Sequence, residues 1–495
     1  MLKKTRQIIA VISIVLLTLL FLDFTGTVHA WFGWMAKIQF LPALMALNAG
    51  IIIGLILLTL VFGRIYCSVI CPLGIMQDGF GWLGKKNKKN RYSYSPAKNW
   101  LRYTMLAIMI ASIILGISVI VSLLAPYSAF GRIAQSLLAP VWQWGNNLLA
   151  AWAAAHENYA FYDVDIWLRG GITLGVAVIT LAVLAVLAWR NGRTYCNTIC
   201  PVGTVLGLLS RFSLLRPIID TSKCVNCGLC ARNCKSACID SKNHTIDYSR
   251  CVVCMDCINK CHTGAISYTF RRSVKAAGIH ADAPAADSSR RNFLSIFAIF
   301  AASSAIKAKE KTVDGGLAVI ADKQKPERQT HIVPPGAVSL RHLNAHCTSC
   351  QLCVSVCPNN VLRPSTSLSS LMQPEASYER GYCRPECTRC SDVCPAGAIL
   401  PITVSEKSST QIGHAVWIKK NCIPLTDGVE CGNCARHCPA GAIIMIPSDT
   451  GDENSLKIPM VNTERCIGCG ACENLCPARP FSAIYVEGHE THRTV

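Results

Sequence analysis

Uncharged apolar runs alternate with charged segments along the first 190 residues of the chain. Four of these runs are candidate membrane spans, at residues 8–22, 41–63, 103–125 and 171–189. A membrane-spanning helix needs about 20 consecutive apolar residues, which the last three runs provide and the first run approaches. The pattern therefore predicts an α-helical membrane domain with four spans within residues 1–216.

Basic residues are distributed unevenly between the segments that join these runs. Segment 64–102 carries eight lysines and arginines, whereas 23–40 carries one and 126–170 carries two. Positively charged loops stay on the cytoplasmic side of a bacterial inner membrane. The N-terminus, 64–102 and 190–291 are therefore predicted to be cytoplasmic. The formal net charge of +19 fits a membrane-lipid partner better than a nucleic acid, because the charges cluster at the ends of the apolar runs.

The first apolar run also admits a second interpretation. It can be a cleavable secretory signal, with residues 28–30 as the cleavage site. That site is weak, so retention of the run as a span is favoured. Cleavage would leave the predicted topology of the later spans unchanged.

A twelve-residue pattern, GRxYCxxxCPxG, occurs twice, at residues 63–74 and 192–203. The two copies agree at eight positions, which indicates an internal duplication. Cysteines four residues apart lie on one face of a helix. The candidate redox residues are Cys67, Cys71, Cys196 and Cys200. They can be ligands of a metal or cluster, or redox dithiols, and the alternative is a tight turn with buried thiols.

Residues 217–270, called here the middle module, contain two cysteine motifs with the CxxCxxCxxxC spacing of bacterial ferredoxins. In such pairs the fourth cysteine of each motif binds the cluster of the other motif. Tetrahedral zinc sites use isolated cysteine pairs and match this spacing poorly. The predicted ligands of one [4Fe–4S] cluster are Cys224, Cys227, Cys230 and Cys261, and those of the other are Cys251, Cys254, Cys257 and Cys234.

The middle module departs from the ferredoxin pattern at two places. Lys235 and His262 follow the fourth cysteines, where ferredoxins usually have proline. Cys238 is an additional cysteine close to the first motif. It can substitute for Cys234, so that one ligand assignment stays open.

Arg290 and Arg291 precede a weakly apolar run at 293–306. Paired arginines before such a run resemble a twin-arginine export signal, here placed inside the chain. A plain membrane anchor is the alternative, although 14 residues are short for a span. The segment is predicted to cross outward as a fifth span. Twin-arginine export moves folded proteins, which suits a cargo that carries assembled clusters.

The C-terminal domain, residues 341–495, contains four further cysteine motifs, each ending in Cys-Pro. Cysteines spaced in this way suit a cube-shaped cluster and give poor disulfide geometry. The predicted ligands are Cys347, Cys350, Cys353 and Cys357; Cys383, Cys387, Cys390 and Cys394; Cys422, Cys431, Cys434 and Cys438; and Cys466, Cys469, Cys472 and Cys476. Almost all of the 29 cysteines in the chain thus have a candidate redox role.

The motifs divide the chain into five parts. These are a membrane domain at 1–216, a cytoplasmic ferredoxin module at 217–270, a linker with the internal export signal at 271–306, a second linker at 307–340 and a periplasmic ferredoxin domain at 341–495. The predicted fold class is an α-helical membrane domain with α+β bacterial ferredoxin-like modules on both sides.

Two known families resemble the two halves. Residues 1–270, with GRIYCSVICP, GRTYCNTICP and two ferredoxin motifs, resemble the NapH-type quinol dehydrogenase membrane subunit. Residues 288–495 resemble the NapG/MauM-type periplasmic ferredoxin. The resemblance implies an inner-membrane protein with six [4Fe–4S] clusters. It would carry electrons from quinol to a periplasmic reductase of the nitrate-reductase type or to a cytochrome c-type partner.

Two points stay open at this stage. The aromatic segment 126–170 is either an interfacial belt or a quinol site in which His156 or Glu157 accepts protons. An alternative function is an accessory protein that matures or reductively repairs an exported metalloenzyme. No hydrolase or transferase constellation stands out in the sequence.

Overall fold

The computed structural model describes residues 2–23, 25–87, 92–271, 312–313, 318–319, 321–449, 451–452 and 455–494. The predicted export signal at Arg290 and Arg291 and the apolar run 293–306 lie outside the described residues.

The described chain before residue 211 is helical. Its helices are α1 (Leu2–Leu22), α2 (Thr27–Phe32), α3 (Trp34–Lys37), α4 (Phe40–Met45), α5 (Ala49–Phe62), α6 (Tyr66–Val69), α7 (Pro72–Asn87), α8 (Asn99–Ile114), α9 (Ser118–Leu124), α10 (Pro126–Ile133), α11 (Ala139–Ala154), α12 (Gly171–Asn191), α13 (Thr194–Thr198) and α14 (Pro201–Ser210). A π-helical turn, Ala134–Leu138, joins α10 to α11. Among the described helices, α1 and α12 are long and apolar enough to cross a membrane.

The predicted span 41–63 is divided between α4 and α5. Leu47 has a φ of 52°, and the Asn48 side chain caps α5 by accepting a hydrogen bond from the N–H of Ile51 at 3.3 Å. The N–H of Phe40 donates to the Tyr66 hydroxyl at 3.1 Å. Since Phe40 begins α4 and Tyr66 follows α5, this segment is a helical hairpin with adjoining ends.

The predicted span 103–125 is divided in the same way. Helix α8 ends at Ile114, Gly116 has a φ of 71°, and α9 begins at Ser118. Glycine adopts positive φ at little cost and so permits the turn. Two of the four predicted spans are thus single long helices and two are broken, so four crossings stay a prediction.

The middle module is built from short elements around its cysteines. These are β1 (Leu215–Ile219), α15 (Leu229–Arg232), β2 (Ile239–Asp240), β3 (Thr245–Ile246), α16 (Asp256–Lys260) and β4 (Ile266–Phe270). The first and last strands pair antiparallel, with Leu215 opposite Phe270 and Ile219 opposite Ile266. This pairing brings the two ends of the module together.

The region after residue 311 has the same character, with short helices and two-stranded sheets. Its elements are β5 (Thr312–Val313), β6 (Ala318–Val319), α17 (Leu340–His346), α18 (Leu352–Ser355), β7 (Leu362–Pro364), β8 (Pro374–Ala376), α19 (Arg389–Asp392), α20 (Val404–Ser409), β9 (Thr410–Trp417), α21 (Ile423–Thr426), α22 (Asn433–Arg436), β10 (Ile443–Pro447), β11 (Lys457–Val461), α23 (Ala471–Leu475) and β12 (Ile484–Thr494). The antiparallel pairs are β5–β6, β7–β8, β9–β12 and β10–β11.

The two cysteine-rich regions lie at opposite ends of α1 and α12. Lys3, near the start of α1, pairs with Asp256 of the middle module at 2.7 Å, whereas Gly26, beyond its other end, lies against Arg389. Helix α12 runs the other way, from Gly170 beside Pro364 to Gly192 beside Lys235. A 21-residue helix is about 31 Å long, so the helical region separates the two iron–sulfur regions by roughly that length.

One hydrophobic core runs through the helical region and reaches both neighbours. It contains Phe21 of α1 and Tyr127 and Phe130 of α10. At one edge it includes Cys254 of the middle module, and at the other edge it includes Cys350 of the C-terminal domain. The apolar core is therefore continuous from the middle module through the helical region to the C-terminal domain.

Candidate iron–sulfur sites

The two copies of the duplicated motif meet in the helical region, at the end that faces the middle module. In each copy a short helix, α6 or α13, carries the first cysteine, and the second cysteine directly precedes the proline that begins α7 or α14. Proline suits this first helical position, because its missing N–H would have no partner there. The four thiols, which we call the four-thiol site, are all buried in the same core: Cys67, Cys71, Cys196 and Cys200.

The two copies are tied together by exchanged arginines. Arg64 of the first copy donates from Nη2 to the carbonyl oxygen of Cys196, at 3.2 Å. Arg193 of the second copy donates from Nη1 to the carbonyl oxygen of Cys67, at 2.5 Å. Both arginines are fully buried. Each copy therefore completes the other, as expected for a pseudo-two-fold pair.

The final glycine of each copy is required by this close approach. A Cβ atom at Gly74 would lie 2.7 Å from Nη1 of Arg193 and against the carbonyl of Cys67. A Cβ atom at Gly203 would lie 2.8 Å from Nη2 of Arg64 and against the carbonyl of Cys196. A larger residue at either position would separate the two copies.

Burial and mutual proximity decide the protonation of these thiols. Burial raises the pKa of Cys71 and of Cys200, and the neighbouring thiols raise both further. Hydrogen bonds to the sulfur atoms lower the pKa of two of the thiols. The N–H of Gly203 lies 3.4 Å from Sγ of Cys200, and Gln77 Nε2 donates to Sγ of Cys196 at 3.2 Å. A group that binds them as thiolates must therefore displace their protons.

The donor set fits some groups better than others. Within the described residues, no three His, Cys, Asp or Glu side chains are arranged to hold a single metal ion. The four buried thiols raise one another's pKa and so lie close together, and an iron–sulfur cluster and dithiol chemistry both stay open.

The thiols of the middle module fall into two groups, each around its own cavity. Set 1 is Cys224, Cys227, Cys230 and Cys261, and set 2 is Cys234, Cys251, Cys254 and Cys257. The fourth cysteine of each motif lies with the first three of the other motif, which is the crossed arrangement predicted from the spacing. The grouping matches the sets expected from the spacing, and cluster binding by these cysteines stays a prediction.

The spare cysteine lies beside set 2. Sγ of Cys238 is 3.5 Å from Sγ of Cys234, and Cys238 lines the same cavity. Its thiol also contacts that of Cys251. The structure thus places five thiols at set 2, and which four would hold a cluster stays open.

Lys235, which replaces the usual proline, connects the middle module to the helical region. Its Nζ pairs with Asp78 of α7 at 2.8 Å and with Asp256 at 3.5 Å. Its carbonyl oxygen accepts a hydrogen bond from the N–H of Arg193 at 2.7 Å. Arg64 also reaches the middle module, donating to the carbonyl of Ser249 at 2.9 Å. Set 2 is therefore the set that faces the four-thiol site.

The C-terminal domain repeats the crossed arrangement twice. The fourth cysteine of each motif lies among the thiols of the neighbouring motif. Set 3 is Cys347, Cys350, Cys353 and Cys394; set 4 is Cys383, Cys387, Cys390 and Cys357; set 5 is Cys466, Cys469, Cys472 and Cys438; and set 6 is Cys422, Cys431, Cys434 and Cys476.

The sets of this domain follow one another away from the helical region. Set 3 is nearest, because the carbonyl of Cys350 lies against Gly131 of α10. Sets 3 and 4 share one core, and the N–H of Cys383 in set 4 donates to the carbonyl of Cys469 in set 5 at 2.9 Å. Sets 5 and 6 share the last core. Sets 3 to 6 therefore follow one another through the C-terminal domain.

Comparison with known proteins finds 4Fe-4S domains in the helical region and in the C-terminal domain. A family model described as "4Fe-4S binding domain" matches residues 45–91 and 173–220, and one described as "4Fe-4S dicluster domain" matches 346–423 and 428–479. The methylamine utilization ferredoxin-type protein MauM of Methylophilus methylotrophus is 30% identical over 162 residues, which cover 31% of this chain and 69% of MauM. The ferredoxin-type protein NapF of Escherichia coli is 30% identical over 159 residues, which cover 32% of this chain and 87% of NapF.

The chain belongs to the NapF/MauM family of ferredoxin-type proteins. The ferredoxin-type protein MauN of Paracoccus denitrificans is 29% identical over 190 residues, covering 38% of this chain and 54% of MauN. No solved structure matches the chain. Each match to the first family model includes one copy of the duplicated motif, so the four-thiol site lies within regions that resemble 4Fe-4S domains.

His156 was named from the sequence as a candidate site residue, whereas Asp78 was not. His156, the candidate quinol residue, is exposed and packs its ring on Trp152 with centroids 4.6 Å apart. Asp78 was missed, although it is the only acidic residue in the basic segment 64–102. A single carboxylate among eight cations was the signal that could have marked it as a buried ion-pair partner.

Proposed function

We propose that this ferredoxin-type protein is a fusion of a NapH-type and a NapG/MauM-type subunit. In this proposal it sits in the inner membrane and passes electrons from quinol to a periplasmic acceptor. The middle module lies in the cytoplasm and the C-terminal domain in the periplasm. The terminal acceptor is a reductase of the nitrate-reductase type or a cytochrome c-type protein.

The observation that carries the proposal is the position of the four-thiol site. It belongs to the same core that includes Cys254 of set 2 and Cys350 of set 3. A redox group held by these thiols would stand between the clusters on the two sides of the helical region. Without it, the length of α1 and α12 would separate sets 2 and 3.

The contacts at the two ends are consistent with the proposed orientation. Segments predicted to be cytoplasmic contact the middle module, as Arg102 does by donating to the Ser249 hydroxyl at 3.1 Å. Segments predicted to face the periplasm contact the C-terminal domain, as Arg169 does by donating to the carbonyl of Val354. Charge distribution and tertiary contacts thus support the same topology independently.

The electron balance is simple. A quinol loses two electrons and two protons when it becomes a quinone. Clusters held by the thiol sets would supply one-electron chemistry, so two of them would be needed to take the pair. The two electrons leave to the periplasmic acceptor, and the protons leave to water.

The test uses the full-length holoprotein, purified in detergent without oxygen. A water-soluble benzoquinol and a naphthoquinol are added separately, and cluster reduction is followed by optical and electron paramagnetic resonance spectroscopy. We expect at least one quinol to reduce clusters in both regions. Failure of both quinols, with full reduction by dithionite, would reject quinol oxidation and favour the alternative role in metalloenzyme maturation.

A further inference from the structure

We propose that a cavity between α1, α7 and the middle module binds the head group of the quinol. This inference rests on the proposed function and adds the place where quinol enters. The cavity has a volume of about 390 Å³. That size is in the range of small-molecule sites, which are typically 300–1,000 Å³.

The lining has the mixed character that a quinol requires. Apolar side chains form one part of the wall: Ala10, Val11, Ile75 and Trp82. Charged and amide side chains form the other part: Lys3, Arg6, Gln77, Asp78, Lys235 and Asp256. A quinol presents an apolar ring and tail together with two hydroxyl groups, and this wall offers partners for each.

The apolar side of the cavity opens toward the surface that would meet lipid. Val11 is 58% exposed, and the neighbouring residues Ile8 and Ile12 of α1 are exposed as well. Trp82 is also exposed, and tryptophan is enriched at membrane interfaces. A quinol tail can therefore remain in the bilayer while the head group enters between α1 and α7.

The cavity is one residue away from each of the two thiol sites that would take the electrons. Gln77 lines it and donates from Nε2 to Sγ of Cys196 in the four-thiol site at 3.2 Å. Lys235 and Asp256 line it as well, and they are the direct sequence neighbours of Cys234 and Cys257 in set 2. A bound head group would thus lie between set 2 and the four-thiol site.

Neighbouring cations favour the ionised form of the Asp78 carboxylate in the wall. Burial opposes ionisation of Asp78, but Arg193 and Lys235 outweigh it and hold its pKa well below the usual range. Asp78 is within 2.7–3.4 Å of Arg6, Arg193 and Lys235. An ionised carboxylate accepts strong hydrogen bonds from hydroxyl groups and so orients a quinol. The released protons leave to solvent on the exposed side near Gln7.

Gly79 provides a direct test because it lines the cavity and a Cβ atom there meets nothing within 4 Å. Gly79→Leu should fill the cavity without disturbing its neighbours. Gly54→Leu is the matched control, since Gly54 lies in an apolar helix, also has open space and does not line the cavity. We expect quinol-dependent cluster reduction to fall by about tenfold or more in Gly79→Leu and to be unchanged in Gly54→Leu.

Dithionite reduction and iron content separate the possible results. Unchanged values of both in Gly79→Leu, together with slow reduction by quinol, support the cavity. Quinol reduction at the wild-type rate in Gly79→Leu overturns the cavity but leaves quinol oxidation intact. If quinol does not reduce the wild-type protein, the proposed function fails and this inference fails with it.

A labelling experiment covers the case in which Gly79→Leu does not fold. The wild-type holoprotein is irradiated with an azido-benzoquinone or an azido-naphthoquinone, and the labelled peptides are mapped by mass spectrometry. Label within residues 2–11 or 72–82 supports the cavity. Label confined to the aromatic segment 126–170 overturns it in favour of the site near His156.

Discussion

Arg193 donates from Nε to Oδ1 of Asp78 at 2.7 Å, and this buried ion pair joins the second copy of the duplicated motif to the helix that follows the first. The same carboxylate pairs with Lys235 of the middle module at 2.8 Å. One acidic side chain thus connects both halves of the duplication to set 2.

Asp78→Asn should therefore destabilise the protein. Removing one partner from a buried ion pair leaves uncompensated charge and typically costs about 3–5 kcal/mol. The measurement is the free energy of unfolding in denaturant, with loss of cluster absorbance as the signal. Asp220→Asn is the control, because Asp220 forms an exposed pair with Lys223 and should give no measurable loss. Equal stability of both variants would show that Asp78 does not hold the parts together.

The cofactor load is predicted by the number of thiol sets. Six sets with four irons each imply about 24 irons per chain. An anaerobic preparation is assayed for iron and for protein by amino-acid analysis. A value near eight would show that the C-terminal domain carries no clusters, and a value clearly above 24 would point to an additional cluster at the four-thiol site.

The four-thiol site is tested by Cys67→Ser and Cys196→Ser, alone and together. We expect loss of electron transfer from quinol to sets 3–6, because any redox group that these thiols hold would be removed. Sets 1–6 should keep their iron and remain reducible by dithionite. Full transfer activity in the double variant would assign these cysteines a structural role.

The contact between the helical region and set 3 is tested at Gly131. A Cβ atom there would lie 2.9 Å from the ring of Phe21 and against the carbonyl of Cys350, so Gly131→Leu should push set 3 away. Reduction of sets 3–6 by quinol should slow by about tenfold or more, while sets 1 and 2 are reduced normally. Gly145→Leu, where a Cβ atom meets nothing within 4 Å, serves as the control. Normal rates in Gly131→Leu would show that electrons do not pass at this contact.

Export is tested through the paired arginines. Arg290→Lys together with Arg291→Lys should leave the C-terminal domain on the cytoplasmic side, because the twin-arginine pathway reads the guanidinium pair. Protease added to the outside of spheroplasts should then fail to digest residues 341–495. Digestion as in the wild-type protein would reject the export signal.

The thiol sets could be predicted from the sequence because cluster binding depends on local spacing. The spacing predicts that Cys261 lies with the first motif, whereas the choice between Cys234 and Cys238 stays open. The breaks at Leu47 and Gly116 could not be predicted, since the runs around them are uncharged and apolar on both sides. Hydropathy reports preference for lipid and contains no information on where a helix turns.

The arginine exchange was also beyond prediction, although both residues belong to the repeated pattern. A pattern that is repeated within one chain shows that the two segments are alike. It does not show that Arg64 serves the cysteine of the other copy, because that contact depends on how the copies face each other. The duplication indicates that the two copies can pair. Which arginine bonds to which cysteine carbonyl depends on the tertiary packing.

The exchange of Arg64 and Arg193 has a consequence for the origin of this chain. Neither copy can supply the guanidinium group that its own cysteine carbonyl accepts. A shorter ancestor with a single copy would have completed the site only as a homodimer, with the arginines crossing a subunit boundary. Gene duplication and fusion would then have turned an intermolecular interface into an intramolecular one and freed each half to acquire a different neighbour.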